Sequence, residues 1–380
     1  MEQKDRKKIL FILPSLARAG AEIQTVDLIN GLQACSFEKY FFTFEKSMEQ
    51  LQRIDLANVS YSHCQKKSKV DLDVIREIAS IIDEKRIDVV HCSLQIALFM
   101  GWFGVKFAKR TPKLVLAIHT TINRNRRNEF ADVLLYQWLM RSCSHFIFVC
   151  KAQQVFWIKK FSFVRDRSTV IYNGVDVDYF KPSKEINQQS KGLKKRINIP
   201  SNAKVICHVA AFRPEKGHAI LLEAFKRIYD ETPDAYLIFA GDGDLKSNIE
   251  KQAYEYGLTQ NVLFLGNVAD VRPVLALADI SVLASTAETF SIAMLESLAM
   301  ELPMVAPNIG GVAEGILHKE TGYIIQKSDA EQLYLGLTYL LANDSLRMAM
   351  ARKGRERVKK FFAKEIMVKK TAKLFQSIIG

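Results

Sequence analysis

Two glutamates eight positions apart, Glu288 and Glu296, stand in the run from Ser285 to Glu314. Glu288 follows a short apolar run, Ile280–Leu283, and Thr289 or Ser291 can cap a helix that begins there. Along that helix Ile292, Leu295, Leu298 and Ala299 make an apolar face, with Glu296 beside it. A carboxylate against a core is held only with a partner or a ligand. A helix that starts just after a strand also offers unpaired backbone N–H groups, a natural phosphate cradle. Taken alone, two glutamates at this spacing are also what an ordinary surface carries.

A second group is Phe212-Arg213-Pro214-Glu215-Lys216-Gly217-His218, between the apolar run Val205–Val209 and a helix starting near His218. Arginine and lysine at a strand's end can neutralise a diphosphate, the first by a fork and the second as a point charge. The same residues would equally suit a solvated basic loop. Gly20 opens a helix after the run Ile9–Leu13 and lets a backbone approach an anion. The surrounding residues form neither a G-x-G-x-x-G nor a Walker A pattern. His119 ends the run Leu114–Ile118, although His63, His91 and His145 read the same way. Asp242-Gly243-Asp244 could hold a divalent cation, but glycines at 241 and 243 favour a tight turn.

These residues need strand ends and helix starts to carry them. Twelve runs of about five residues meet that need. In the first half they are Ile9–Leu13, Tyr40–Phe44, Val89–His91, Leu114–Ile118, Phe146–Val149 and Thr169–Ile171; in the second, Val205–Val209, Ala235–Ala240, Val262–Leu265, Ile280–Leu283, Met304–Ala306 and Tyr323–Ile325. Each is continuously apolar, the pattern of strands covered on both faces in a parallel sheet. Helix-length segments such as Glu22–Leu32, Leu72–Glu84, His218–Asp230 and Leu245–Tyr256 lie between them. The alternation predicts an α/β chain with two doubly wound domains facing a cleft, ligands binding at the carboxyl ends of the strands. The expected boundaries are 1–175, a linker over 176–200 around Pro182 and Pro200, and 201–363. A last helix covers about 364–380, after a break near Phe361-Phe362-Ala363.

The chain has 380 residues, too many for one ordinary core. Its composition, 48% hydrophobic and 25% charged, excludes disorder as the main state. The run Ile96–Val105 is too short to span a bilayer, and the expected location is the cytoplasm. Six cysteines without a C-x-x-C pattern read as buried thiols. The formal charge is 54 − 41 = +13, and residues 101–170 hold thirteen basic and three acidic residues among large aromatics. Such a segment suits an anionic membrane surface, nucleic acid, or a solvated face over a core.

Taken in order, Ala19-Gly20-Ala21-Glu22, the Val170–Asp176 run, Arg213 to His218, Gly241-Asp242-Gly243, Val262–Gly266 and Ser285 through Glu314 resemble the family-four retaining glycosyltransferases of the GT-B fold. The resemblance implies that Glu288 bonds hydroxyls of the transferred sugar and Glu296 the ribose of the nucleotide. It implies that Lys216 and Arg213 neutralise the departing diphosphate, helped by the backbone of Phe290, Ser291, Ile292 and Gly20. His119 matches the histidine that faces the donor sugar. The GT-B fold implies that the last helix packs back on the first domain. The chain departs from the family pattern in having Ala19-Gly20 for a glycine pair, and Ala211 where a basic residue is usual, so that Arg213 must substitute. The implied partners are a UDP-, GDP- or ADP-sugar donor and a glycan or lipid-linked acceptor, with no nucleic acid, cofactor or metal. Polysaccharide or lipopolysaccharide assembly at the inner face of the cell membrane is the expected setting. Another GT-B sugar-nucleotide reaction, such as epimerisation, is the enzymatic alternative.

Overall fold

The structure is a computed structural model and describes residues 6–119 and 136–379. The chain forms two compact units, Met1–Gly174 with Lys364–Gly380, and Val175–Ala363.

The first unit is built on seven strands: β1 Lys7–Ile12, β2 Phe37–Thr43, β3 Val59–His63, β4 Val89–Ser93, β5 Lys113–Ile118, β6 His145–Phe148 and β7 Ser168–Val170. They pair in parallel in the order β3-β2-β1-β4-β5-β6-β7. The central strand shows why. Ile9, Leu10, Phe11 and Ile12 are all fully buried, because alternate residues enter different cores. Leu10 and Ile12 pack with Phe42 and Val90 on one face, Ile9 and Phe11 with Phe41 and Val89 on the other.

The last helix, Lys364–Ile379, covers the Phe11 face. Phe375 sits edge-on to Phe11 at 6.2 Å and to Phe37 at 6.4 Å. It packs closely on the helix Gly20–Gly31, where a Cβ on Gly31 would lie 2.5 Å from Val368. Gln24 of that helix holds Gly174 from both sides: its amide donates to the Gly174 carbonyl at 2.8 Å and accepts from the Gly174 N–H at 2.7 Å.

The second unit holds β8 Lys204–Val209, β9 Ala235–Ala240, β10 Val262–Phe264, β11 Ile280–Val282, β12 Met304–Pro307 and β13 Tyr323–Ile325. Their order is β10-β9-β8-β11-β12-β13, again all parallel. Both sheets therefore reverse their winding direction once, between β1 and β4 and between β8 and β11. At such a reversal the loops leaving adjacent strands diverge and leave a crevice.

Three expectations need correction. The stretch 176–200 is not a free linker. It carries a helix, Lys184–Arg196, capped by Ser183 and buried through Ile186 and Leu193 against Val274 and Leu275. Its apolar stripe is so thin that the polar residues around it hide it. Strand β3 is an edge strand buried fully only at Val59, so it lacks the continuous apolar run of its neighbours. The cysteines are all free, but Cys35 is exposed and Cys64 half-buried, while the other four are buried. The break before the last helix is present, at Phe362-Ala363, where Val175 donates to the Phe362 carbonyl at 2.9 Å.

Phe375 is the largest side chain that the last helix places in the first unit's core. Replacing it with alanine is expected to cost about 3–5 kcal/mol in denaturant titration. The same change at Phe361, which is 44% exposed, should stay within about 0.5 kcal/mol.

Candidate functional site

The winding reversal of the second sheet puts two loops side by side. One leaves β8 and contains Arg213 to Gly217; the other leaves β11 and contains Ser285 to Ser291. Thr286 N–H donates to the Glu215 carbonyl at 2.9 Å, joining them. Gly217 makes this approach feasible. Its φ is +69°, and a Cβ there would lie 1.9 Å from the Ala284 carbonyl oxygen. Any other residue would push the loops apart.

The result is a contact between residues 72 positions apart in the chain: Lys216 Nζ donates to Glu288 Oε1 at 2.6 Å. Both are largely enclosed, with side chains 23% and 12% exposed. Ser285 Oγ adds a longer hydrogen bond to the same Oε1 at 3.4 Å. A third loop closes on them from the carboxyl end of β12. Gly310, with φ +51°, would place a Cβ 2.0 Å from the Glu288 carbonyl oxygen, and Gly311 N–H donates to Thr289 at 2.7 Å.

Directly after Glu288 the chain enters the helix Ile292–Ala299. Ser291 caps it, its hydroxyl accepting from Met294 N–H at 3.3 Å. The N–H groups of Ile292 and Ala293 in the first turn have no acceptor within the helix. Phe290 is buried against Phe362, ring centroids 5.3 Å apart, which leaves its backbone as its contribution to this helix tip. Met294, Leu295, Ser297, Leu298 and Ala299 face the core. Ile292, expected in the apolar face, is half-exposed instead, as are Ala293 and Glu296. These three form one stripe running from the helix tip, so Glu296 lies one turn along from the N–H groups. Ser297 Oγ bonds Ser281 Oγ at 2.9 Å and pins the helix to β11. Arg355 holds its far end, donating to Ala299 O as well as to Phe180 O and Val177 O.

Arg213 starts the turn that carries Lys216, and it is exposed. Asp242 forms the turn that its neighbouring glycines favour. Its carboxylate accepts from Gly243 N–H at 2.8 Å and its carbonyl from Phe212 N–H at 2.9 Å.

In the first unit Gly20 is exposed at the start of its helix, and Ala19 before it supplies no side-chain cap. His119 follows β5, and its Nδ1 is buried without a partner among the described residues. Burial pushes its pKa down to about 4. Of the histidines that read similarly in sequence, His63 bonds Thr43 and His145 bonds Thr169. His91, packed against Phe11 and Phe375, shares with His119 a buried Nδ1 that has no partner among the described residues.

A pair that sequence reasoning missed lies under the Lys216 loop. His208, inside β8, donates from Nδ1 to the Val282 carbonyl at 2.8 Å. His218 stacks on Phe212 with centroids 4.1 Å apart and meets the His208 ring at 4.7 Å. His208 Nε2 and both His218 nitrogens lack hydrogen-bond partners among the described residues. The backbones of Lys216 and Ala210 lie near them without bonding geometry. Burial pushes His208 down to about 4 and His218 to about 3, so both rings are neutral at neutral pH. A histidine inside an apolar strand and one opening a helix gave the only signal in the sequence.

Two parallel α/β units, each with one winding reversal in its sheet, form a two-domain doubly wound architecture. Residues 189–357 match the family model for Glycosyl transferases group 1, and residues 18–179 match Glycosyltransferase Family 4. The chain belongs to the family-four glycosyltransferases, and its fold is GT-B. N-acetyl-alpha-D-glucosaminyl L-malate synthase of Bacillus anthracis is 30% identical over 210 residues, which are 55% of this chain and 53% of that protein. The match therefore spans about half that relative's length. An uncharacterized glycosyltransferase of Methanocaldococcus jannaschii is 24% identical over 94% of both chains. Anabaena HepE, solved in complex with UDP-glucose, shares the fold with a TM-score of 0.84 at 22% identity, covering 97% of this chain and 99% of that one.

The buried histidines make stability depend on pH. Unfolded, they take up protons near pH ~6.5; folded, His208 and His218 do so only near 4 and 3. Between these values the unfolded state binds more protons, so their contribution is complete above pH ~6.5 and is lost as pH falls towards ~4. By pH ~4 each ring can account for at most about 3 kcal/mol. His218→Phe keeps the stack on Phe212 and should flatten the acid side of a stability–pH curve measured by denaturant titration.

Proposed function

We propose that the protein moves a sugar from a nucleoside-diphosphate sugar to a hydroxyl of a glycan or lipid-linked acceptor, with retention at the anomeric carbon. The observation that carries this reading is the Lys216–Glu288 pair beside a helix tip with open N–H groups. In the transfer the C1–O bond to the diphosphate breaks and a bond from the acceptor oxygen to C1 forms. The acceptor's proton passes to the departing phosphate oxygen. Negative charge grows on that phosphate, and fixed positive groups stabilise it most when they are in place beforehand.

Lys216 and the backbone around Phe290, Ser291 and Ile292 supply those groups, with Arg213 adding an exposed guanidinium. When the diphosphate takes the Lys216 ammonium, Glu288 loses its counter-ion and turns to the hydroxyls of the sugar. Glu296 receives the ribose. Gly20 offers open backbone to phosphate and His119 a neutral imidazole to the donor sugar. With these cations and amides neutralising the leaving group, the reaction requires no metal ion. Two similar proteins support a nucleotide-sugar donor: HepE binds UDP-glucose, and a Corynebacterium glutamicum mannosyltransferase, 29% identical over 214 residues, is GDP-mannose-dependent. A lipid-linked acceptor fits the second of these, which is named for transfer to a phosphatidylinositol monomannoside.

Thermal shift with UDP, GDP and ADP tests the donor assignment. A nucleotide at a hundred times its Kd stabilises the folded protein by about 2.7 kcal/mol. The preferred nucleotide should raise Tm, and its sugar conjugates should be turned over with the anomeric configuration preserved by NMR. Lys216→Ala and Glu288→Gln should each lower kcat by about a hundredfold to a thousandfold. No shift with any of the three nucleotides and no consumption of their sugar conjugates overturns the proposal.

A further inference from the structure

The helix Gln95–Phe107 has one charged residue, Lys106, among its thirteen. A helix apolar all round belongs in an interior. This one lies at the surface of the first unit. Ala97, Leu98, Met100 and Trp102 face the core. Ile96, Phe99 and Phe103 are half-exposed, and Phe107 is 59% exposed. Those four recur at spacings of three and four and so form one stripe. Where a water-facing stripe should be polar, it is aromatic.

The apolar surface extends beyond this helix. Trp138 is 55% exposed, although its ring lies 4.5 Å from that of Trp102. The helix Lys151–Lys160 exposes Val155 and Phe156 while burying Trp157. Trp102, Leu139 and Trp157 enter one core cluster, so all three segments lie on the same face of the first sheet.

The charge around them has one sign. Residues 95–119 and 136–170 contain ten basic side chains and a single acidic one, Asp166. Lys106, Lys159 and Lys160 form no ion pair with a carboxylate among the described residues, while Lys109 lies beside Asp83, whose carboxylate accepts from its backbone N–H at 3.0 Å. Lys106 and Lys160 instead lie over the rings of Trp102 and Trp157, each 5.6 Å from the centroid. Of the basic residues in 101–170, Arg124, Arg126 and Arg127 fall outside the described residues.

We propose that this face binds an anionic membrane surface. Phe107, Trp138 and Phe156 enter the headgroup zone, and the lysines and arginines around them contact anionic headgroups. Aromatic rings prefer that boundary, and basic side chains gain from the lipid charge. A nucleic-acid surface would share the charge but has no use for an aliphatic and aromatic stripe over Ile96, Phe99 and Phe103. No helix among the described residues is long and apolar enough to cross a membrane, so the contact is peripheral. The proposal deepens the acceptor reading towards a lipid-linked substrate, but vesicle binding is measured without turnover, so each can fail alone.

The test is sedimentation of the full chain with phosphatidylcholine vesicles, with and without phosphatidylglycerol. Binding to the mixed vesicles only is expected. Combined Phe107→Ala, Trp138→Ala and Phe156→Ala should weaken it about tenfold or more, while the nucleotide-dependent thermal shift, which reports sugar-donor binding, stays unchanged. Tryptophan emission gives a second reading. Trp138 is exposed while Trp102 and Trp157 are each 6% exposed. Brominated acyl chains should therefore quench the wild type, and Trp138→Phe should remove the quenching. Negligible sedimentation with both vesicle types, wild-type binding by the triple variant, or binding of duplex DNA without vesicle binding overturns the proposal.

Discussion

The second unit depends on one close approach of backbone to backbone: Gly217 against the carbonyl of Ala284. Without it the loops leaving β8 and β11 cannot meet, and Lys216 cannot reach Glu288. Gly310 makes the matching approach from the β12 side, against the carbonyl of Glu288 itself. The charged pair is thus framed by glycines that leave no room for side chains. Its two members are held mostly out of water, where an ion pair is strong but each charge is costly to strand. Such a site is stable when empty, because the pair satisfies itself, and it keeps its charges where an anion can claim one of them.

The neutral histidines beneath serve the same balance. A protonated His208 or His218 would place a second cation under Lys216, and nearby Lys216 already disfavours that proton. Burial keeps both rings uncharged, so the loop presents its ammonium over an apolar floor of Phe212 and Phe239. Packing and electrostatics agree here. The aromatic cluster that buries the histidines also fixes the start of the helix His218–Glu231, and with it the turn that aims Lys216.

Much of this was readable before any coordinates. Buried parallel strands announce themselves, because both faces must be apolar and the runs are unbroken. The twelve such runs all became strands, with ends shifted by a few residues. Strand β3 escaped because an edge strand with one wet face, Ser60 to His63, carries no such run. The helix Lys184–Arg196 escaped for the opposite reason: two apolar anchors suffice to bury it, and thirteen mostly polar residues look like a tether. In the site, residue types and strand ends were legible, but the partnership of Lys216 with Glu288 was not. It arises from sheet order, which places β11 beside β8 despite the 72 residues between their loops. The unpaired Nδ1 that sets His119 apart from His63 and His145 is likewise a property of surroundings.

The helix Lys364–Ile379 has a consequence for how the protein is made. Ribosomes release a chain from its amino end, yet the core around Phe11 and Phe37 is closed by Phe375, near the other end. The half that emerges first is thus completed last. It must wait with one face of its sheet uncovered while the whole of Val175–Ala363 is synthesised and folds as a contiguous piece. Order of synthesis and order of completion run in opposite directions.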